Sequence, residues 1–347
     1  MEKQKKLLYE VSYIRPLVIF LLVLLHSFTK ITNGGNLHND YNLCEGYKWF
    51  TWLISGFRIE TIALVAGYVF AFQSLDLGKK YSFGSFVKKK FKRLIFPMLF
   101  FGTIYYFCFY FNASTFHFGS FVISLLSGCG HLWFLPMLFW CFMGIWVIDY
   151  FKLSSWITLL ILAAFSILPT TSLPLGFSRL PHFIFFVYAG YYLWTKRDFI
   201  LRNVNKKGII LLAWSLYIVF VVVRHTFIES LPAGDSIINK GFNCIISNGV
   251  SLLMSCVGIV ALYMTICHFI NRESFAPAQW VVTASDTCYG VYVYHQFILV
   301  LLYFYTPLVG ICHNLLVPWI GFIVTFGISL LLTKLTLKTK FGRALIG

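Results

Sequence analysis

The chain has 347 residues, 59% of them hydrophobic, 20% aromatic and only 12% charged, with a mean hydropathy of +0.78. These values exclude an ordinary soluble domain and define a polytopic membrane protein. A formal net charge of +16 would suggest nucleic acid in a soluble chain, but the basic residues cluster in short loops between apolar runs, so no nucleic-acid partner is expected.

Ten apolar runs predict ten helices, at about 11–30, 50–73, 94–111, 131–150, 153–169, 181–195, 208–224, 247–270, 287–306 and 314–334. The first is about as long as the ~20 residues a span requires and no small-residue cleavage site follows it. It is expected to remain as the first span rather than to be removed as a signal peptide. The fifth and sixth runs are short, and "FGSFVISLLSGCG" (118–130) reads as a re-entrant segment or an extra half-helix, so the count is ten to within one.

Ten spans place both termini on one side, and 21 of the 28 Lys and Arg residues fall there. They are Lys3, Lys5 and Lys6, the cluster from Lys79 to Arg93, Lys152, the cluster from Lys196 to Lys207, Arg272, and Lys334 to Arg343. The positive-inside rule makes this the cytoplasmic side. The expected fold is therefore an all-α bundle of about ten transmembrane helices with cytoplasmic termini, a single domain over 1–347 with no soluble appendage. Nine cysteines form no CxxC pair and mostly lie in apolar runs as small hydrophobes; Cys44, Cys129, Cys244 and Cys312 map near the outer side, where a disulfide of unassigned pairing is open.

A charged side chain near a bilayer centre costs roughly 3 kcal/mol or more, so ionisable residues inside the runs are functional candidates. In "YIRPLVIFLLVLLHSF" (13–28), Arg15 and His26 are eleven residues apart, about 16 Å along the axis and within about 20° of one face. Arg15 also reads as a snorkelling basic residue before a Pro16 at a helix start, and His26 as a hydrogen-bonded helix contact. Arg58 and Glu60, two apart, cannot share a face and each is expected to meet a partner on another helix, in a structural bridge or a site. The later "AGY" permits close helix packing.

In "GCGHLWFLP" (128–136), two glycines that can bend the backbone precede His131 and Trp133 at the outer start of a span; Trp133 alone would be an aromatic-belt residue. In "SDTCYGVYVYHQF" (285–297), Ser285 and Asp286 offer helix caps, Tyr289 and Tyr292 share a face, and His295 falls near mid-membrane, where one interhelical hydrogen bond would account for it. The basic loop "KKYSFGSFVKKKFKRLIFP" (79–97) serves as a topology signal attracted to anionic membrane lipid, or as a dock in which Lys90 and Arg93 hold phosphates.

Together these stretches resemble the acyltransferase 3 family of integral membrane acyltransferases, which includes bacterial O-antigen and exopolysaccharide O-acetyltransferases. The resemblance rests on the spacing of Arg15 and His26, on "FRIETIALVAGYVF", on "KKFKRLIFP", on "GHLWFLP" and on "SDTCYGVYVYHQF", in the family's order over most of the chain. It implies transfer of an acyl group, usually acetyl, from cytoplasmic acyl-CoA to a carbohydrate hydroxyl at the outer face of the bacterial cytoplasmic membrane. Arg15 and His26 correspond to the principal functional pair, and Lys90 with Arg93 stand where the family has two arginines. Lysine at 90 replaces a planar fork with a point charge, and "VAGY" lacks a serine that the family tends to have there.

A sugar hydroxyl is a poor nucleophile, which gives His26 the role of general base, or of transient acyl carrier. Arg15, Lys90 and Arg93 would bind the CoA phosphates. His131, Arg58 or His295 would orient the acceptor or stabilise the oxyanion, with Glu60, Trp133 and Tyr292 as further acceptor-side candidates. Acetyl-CoA enters as donor substrate, and neither a resident cofactor nor a metal is expected. The rival reading is a glycolipid or polysaccharide transporter or flippase, which inverted repeats or paired broken helices would favour and which the sequence does not display.

Overall fold

Every one of the ten apolar runs folds into helix. The computed structural model describes residues 8–31, 37–38, 44–170, 173–203, 207–230, 237–273 and 277–347. Lys3, Lys5, Lys6, Lys206 and most of the first polar loop lie outside the described residues. In chain order the helices are α1 (Tyr9–Ser27), α2 (Glu45–Ser55), α3 (Arg58–Ala71), α4 (Phe83–Lys90), α5 (Phe96–Phe109), α6 (Phe118–Leu126), α7 (Phe134–Tyr150) and α8 (Trp156–Ile167). They continue as α9 (Leu180–Thr195), α10 (Arg197–Asn203), α11 (Lys207–Val222), α12 (Ile237–Glu273), α13 (Gln279–Phe304), α14 (Leu308–Ile311), α15 (Val317–Lys338) and α16 (Lys340–Ile346). A two-residue ladder, β1 (Lys30–Ile31) with β2 (Leu37–His38), follows α1.

Among the described residues, seven helical stretches are long and apolar enough to cross a membrane: Tyr9–Ser27, Glu45–Asp76, Gly130–Tyr150, Lys207–Ile228, Ile238–Ile270, Gln279–Phe304 and Val317–Lys338. The other three expected spans, α5, α8 and α9, have 14, 12 and 16 regular α-helical residues. Each is short of the ~20 that a bilayer asks of a straight helix. Physical punctuation sets these limits. A π-helical stretch bearing Lys92 and Arg93 runs into α5, the Ser155 hydroxyl caps α8 by accepting from the Thr158 N–H, and Pro181 opens α9. The segment at 118–130 contains the nine-residue half-helix α6.

Two expected helix starts move. Ser285 and Asp286 are not caps but lie within α13, because the apolar turn from Gln279 extends the helix two turns earlier. Likewise α1 begins at Tyr9, so Arg15 and Pro16 sit inside it rather than at its start. The expected second span is broken at Gly56–Phe57 into α2 and α3. Carbonyls released by the break are answered by other helices: the Tyr217 hydroxyl donates to the Leu53 oxygen at 2.6 Å and the Ser255 hydroxyl to the Gly56 oxygen at 2.7 Å. Inside a membrane such partners are what make a broken helix tenable.

Helix α1 is central, packing against α2, α3, α12, α13 and α15. The closest pair is α3 with α9, where a Cβ on Gly67 would lie 1.7 Å from the Val187 oxygen and one on Gly190 1.9 Å from the Leu64 oxygen. The small residues expected to permit close packing thus set two backbones in contact. All nine cysteines are free.

Candidate active site

The face of α1 that bears Arg15, Ile19, Leu22 and His26 lines two cavities in turn. The first, of about 380 Å³, holds Arg15, Lys89, Lys90 and Arg93 together with Gln73, Cys288 and Tyr289. The second, of about 710 Å³, holds His26, Arg58, His131, Trp133, Arg179 and Gln296. Ile62, Phe134 and Tyr292 line both, so the two cavities share a wall of three side chains. Both volumes suit small-molecule sites.

No carboxylate lines the first, cationic cavity. The Lys90 ammonium rests 3.2 Å from the centre of the Phe142 ring, a cation–π contact that holds the charge without neutralising it. Beside it, Lys89 donates to the Tyr81 hydroxyl at 2.7 Å, which holds that half-buried phenol below its ordinary pKa. On the opposite side, the Tyr289 hydroxyl donates to the Arg93 backbone oxygen at 3.1 Å. A cavity of uncompensated cations suits an anionic ligand, phosphate above all.

Beside the second cavity three histidines converge: His26 of α1 and His131 of the turn before α7 line it, and His295 of α13 is buried behind His26. The His26 Nδ1 and His295 Nε2 are 2.8 Å apart, and His295 Nδ1 lies 2.6 Å from the Tyr292 carbonyl oxygen. The partners assign the tautomers. A carbonyl can only accept, so His295 Nδ1 carries a proton and its Nε2, in the neutral ring, accepts from His26 Nδ1–H. The remaining nitrogen of His26, Nε2, is then an unprotonated base. By the same logic His131 Nε2 donates to the Val293 oxygen at 3.0 Å, leaving its Nδ1 as a buried acceptor without a partner among the described residues. Gly128 and Gly130, with φ of +78° and +58°, turn the chain tightly enough to aim His131 inward.

Arg58 opens α3 at the helix break, 5% exposed, with Nη1 donating to the Ser55 oxygen at 3.3 Å and Nε without a partner among the described residues. Glu60 faces away from this cavity and meets His182 of α9 at 3.5 Å, as expected of a residue that cannot share the face of Arg58. Trp133 is covered by the Arg179 guanidinium, 3.6 Å from its ring centre.

The structure therefore gathers His26, His131, Arg58, Trp133 and Tyr292 around one cavity and Arg15, Lys90 and Arg93 around the other, with His295 fully buried behind His26. Sequence reasoning passed over three residues. Arg179 and Gln296 line the histidine cavity. Glu10, 3% exposed, accepts from Arg197 at 2.7 Å and from the Tyr68 hydroxyl at 2.5 Å, tying α1 to α3 and α10. Available signals were the isolated arginine in a polar loop and an acid within one turn of an apolar run.

Apolar spans around buried bases and cations define a multi-pass membrane protein with the equipment of a group-transfer enzyme. The chain belongs to the acyltransferase 3 family: the family model described as an acyltransferase domain matches residues 8–334, nearly the whole chain. It is accordingly a membrane acyltransferase. No curated protein and no solved structure matches it.

Proposed function

We propose that the enzyme moves an acetyl group from cytoplasmic acetyl-CoA to a hydroxyl of a cell-surface or lipid-linked carbohydrate. In this reading ten helices cross the bacterial cytoplasmic membrane with both termini inside. The observation that carries it is the shared wall between a cationic cavity and a histidine cavity. One chamber suits the phosphates of CoA, the other a hydroxyl and a base, and only a small acyl group need pass between them.

Arg15, Lys90 and Arg93 bind the donor phosphates, and the thioester end reaches the wall of Ile62, Phe134 and Tyr292. His26 Nε2 removes the proton of the acceptor hydroxyl as its oxygen attacks the thioester carbonyl carbon. Arg58 offers its guanidinium to the oxyanion of the tetrahedral intermediate. When the intermediate collapses the C–S bond breaks, and the proton held by His26 passes to the leaving thiolate, giving CoA and the ester. His295 holds the His26 ring in the tautomer that leaves Nε2 free, and His131 orients the acceptor by accepting from a second hydroxyl.

The test supplies membranes containing the protein with acetyl-CoA radiolabelled in the acetyl group and follows label into surface glycan. Wild type is expected to transfer label and His26→Ala to lose transfer by about 10²–10⁴-fold, the usual worth of a general base. Equal transfer by both would overturn the role of His26, and no CoA-dependent transfer by wild type would overturn the reaction.

A further inference from the structure

We infer that the acceptor carries an anionic group, carboxylate or phosphate, beside the hydroxyl to be acylated, and that Arg179 binds it; the inference rests on the acyl-transfer reading above. The histidine cavity has two arginines and two histidines in its wall and no Asp or Glu. The transfer itself develops one negative charge, at the oxyanion, and buried Arg58 with its free Nε is placed for that. Arg179 is a second guanidinium with no charge to meet in the reaction.

Nor is Arg179 consumed by the fold. Its backbone N–H donates to the Gly176 oxygen at 3.2 Å, but its guanidinium forms no hydrogen bond or ion pair with the described residues; it lies on the Trp133 ring, 3.6 Å away, which presents the planar group while leaving its N–H edges free. Glu60, the acid two residues from Arg58, stands outside the cavity wall and is engaged with His182. Guanidinium edges match carboxylate and phosphate in a bidentate fashion, whereas a neutral sugar needs only the hydroxyl and amide partners that Tyr106, Tyr110 and Gln296 already place in the same wall.

The experiment labels the glycan of the native host's membranes from radiolabelled acetyl-CoA, cleaves it to repeat units and separates these by anion exchange. Label is expected on retained, anionic fragments. Carbodiimide reduction should abolish retention if the group is a uronate, and hydrofluoric acid if it is a phosphodiester. Arg179→Gln is expected to lower transfer at limiting acceptor by about tenfold or more, the worth of a charged hydrogen bond, with the KM for acetyl-CoA unchanged. Wild-type transfer should fall as salt is raised, and Arg179→Lys should retain part of that dependence. Label confined to neutral fragments, or wild-type transfer indifferent to salt, overturns this inference while leaving acyl transfer intact. Absence of any label overturns both.

Discussion

Tyr292 holds His131 from below the histidine cavity, its hydroxyl donating to the His131 backbone oxygen at 2.6 Å. Its own carbonyl accepts from His295, which in turn orients His26. One residue in the wall between the cavities therefore anchors both sides of the proposed base. Tyr292→Phe keeps the ring and removes only the hydroxyl, leaving a buried carbonyl unsatisfied at a cost of about 1–3 kcal/mol. Its kcat for acetyl transfer should fall by about tenfold while the KM for acetyl-CoA stays put.

The pairing of His26 with His295 predicts strong non-additivity. His295→Ala should lower kcat by on the order of 10²-fold, because His26 loses the partner that fixes its tautomer. The double variant with His26→Ala should be no slower than His26→Ala alone, as residues acting as one unit behave. Additive losses in steady-state kinetics would separate the two histidines.

Donor recognition is read from the cationic cavity. Lys90→Gln and Arg93→Gln should each raise the KM for acetyl-CoA by about tenfold, the scale of a charge-assisted contact, with a smaller effect on kcat. Arg15→Lys should raise it too, since a point charge replaces a fork. Titration with CoA and with dephospho-CoA would measure which phosphates each cation meets. An unchanged KM in all three variants would remove the donor from this cavity.

The wall also bears on acyl-chain choice. Phe134→Ala opens the partition shared by the two cavities, and the ratio of kcat/KM for butyryl-CoA over acetyl-CoA should rise by about tenfold or more, a methylene being worth roughly 1–3 kcal/mol in a fitted pocket. Competition between the two donors in one reaction reports this ratio directly.

Stability depends on the α3–α9 contact. Gly67→Ala would force a Cβ to 1.7 Å from the Val187 oxygen, and overpacking of this kind costs about 1–3 kcal/mol or more. A lowered Tm by tryptophan fluorescence in detergent is expected. Gly119→Ala, whose added Cβ would meet nothing within 4 Å beyond its own helix, should leave Tm near wild type.

Much of this was legible from residues alone. Apolar runs marked every long helix, and the spacing of Arg15 and His26 put both on the stripe that borders the cavities. What escaped was set by distant partners. His26 and His295 are 269 positions apart, so no local pattern pairs them. The break at Gly56–Phe57 lies in a run that reads as one helix, and its tenability comes from Tyr217 and Ser255 far along the chain. Ser285 and Asp286 carry cap chemistry, but the apolar residues from Gln279 onward decide where α13 begins.

Arg58 is the first residue of α3 and Arg179 immediately precedes α9, and these are the two helices whose backbones meet at Gly67 and Gly190. With the two backbones in contact at these glycines, the ends of the helices that carry the two guanidiniums are set at one spacing, like the jaws of a caliper. For the anionic acceptor proposed above, selection would then rest on the distance between its charge and its reactive hydroxyl, a dimension that exchanging side chains elsewhere in the cavity would leave unaltered.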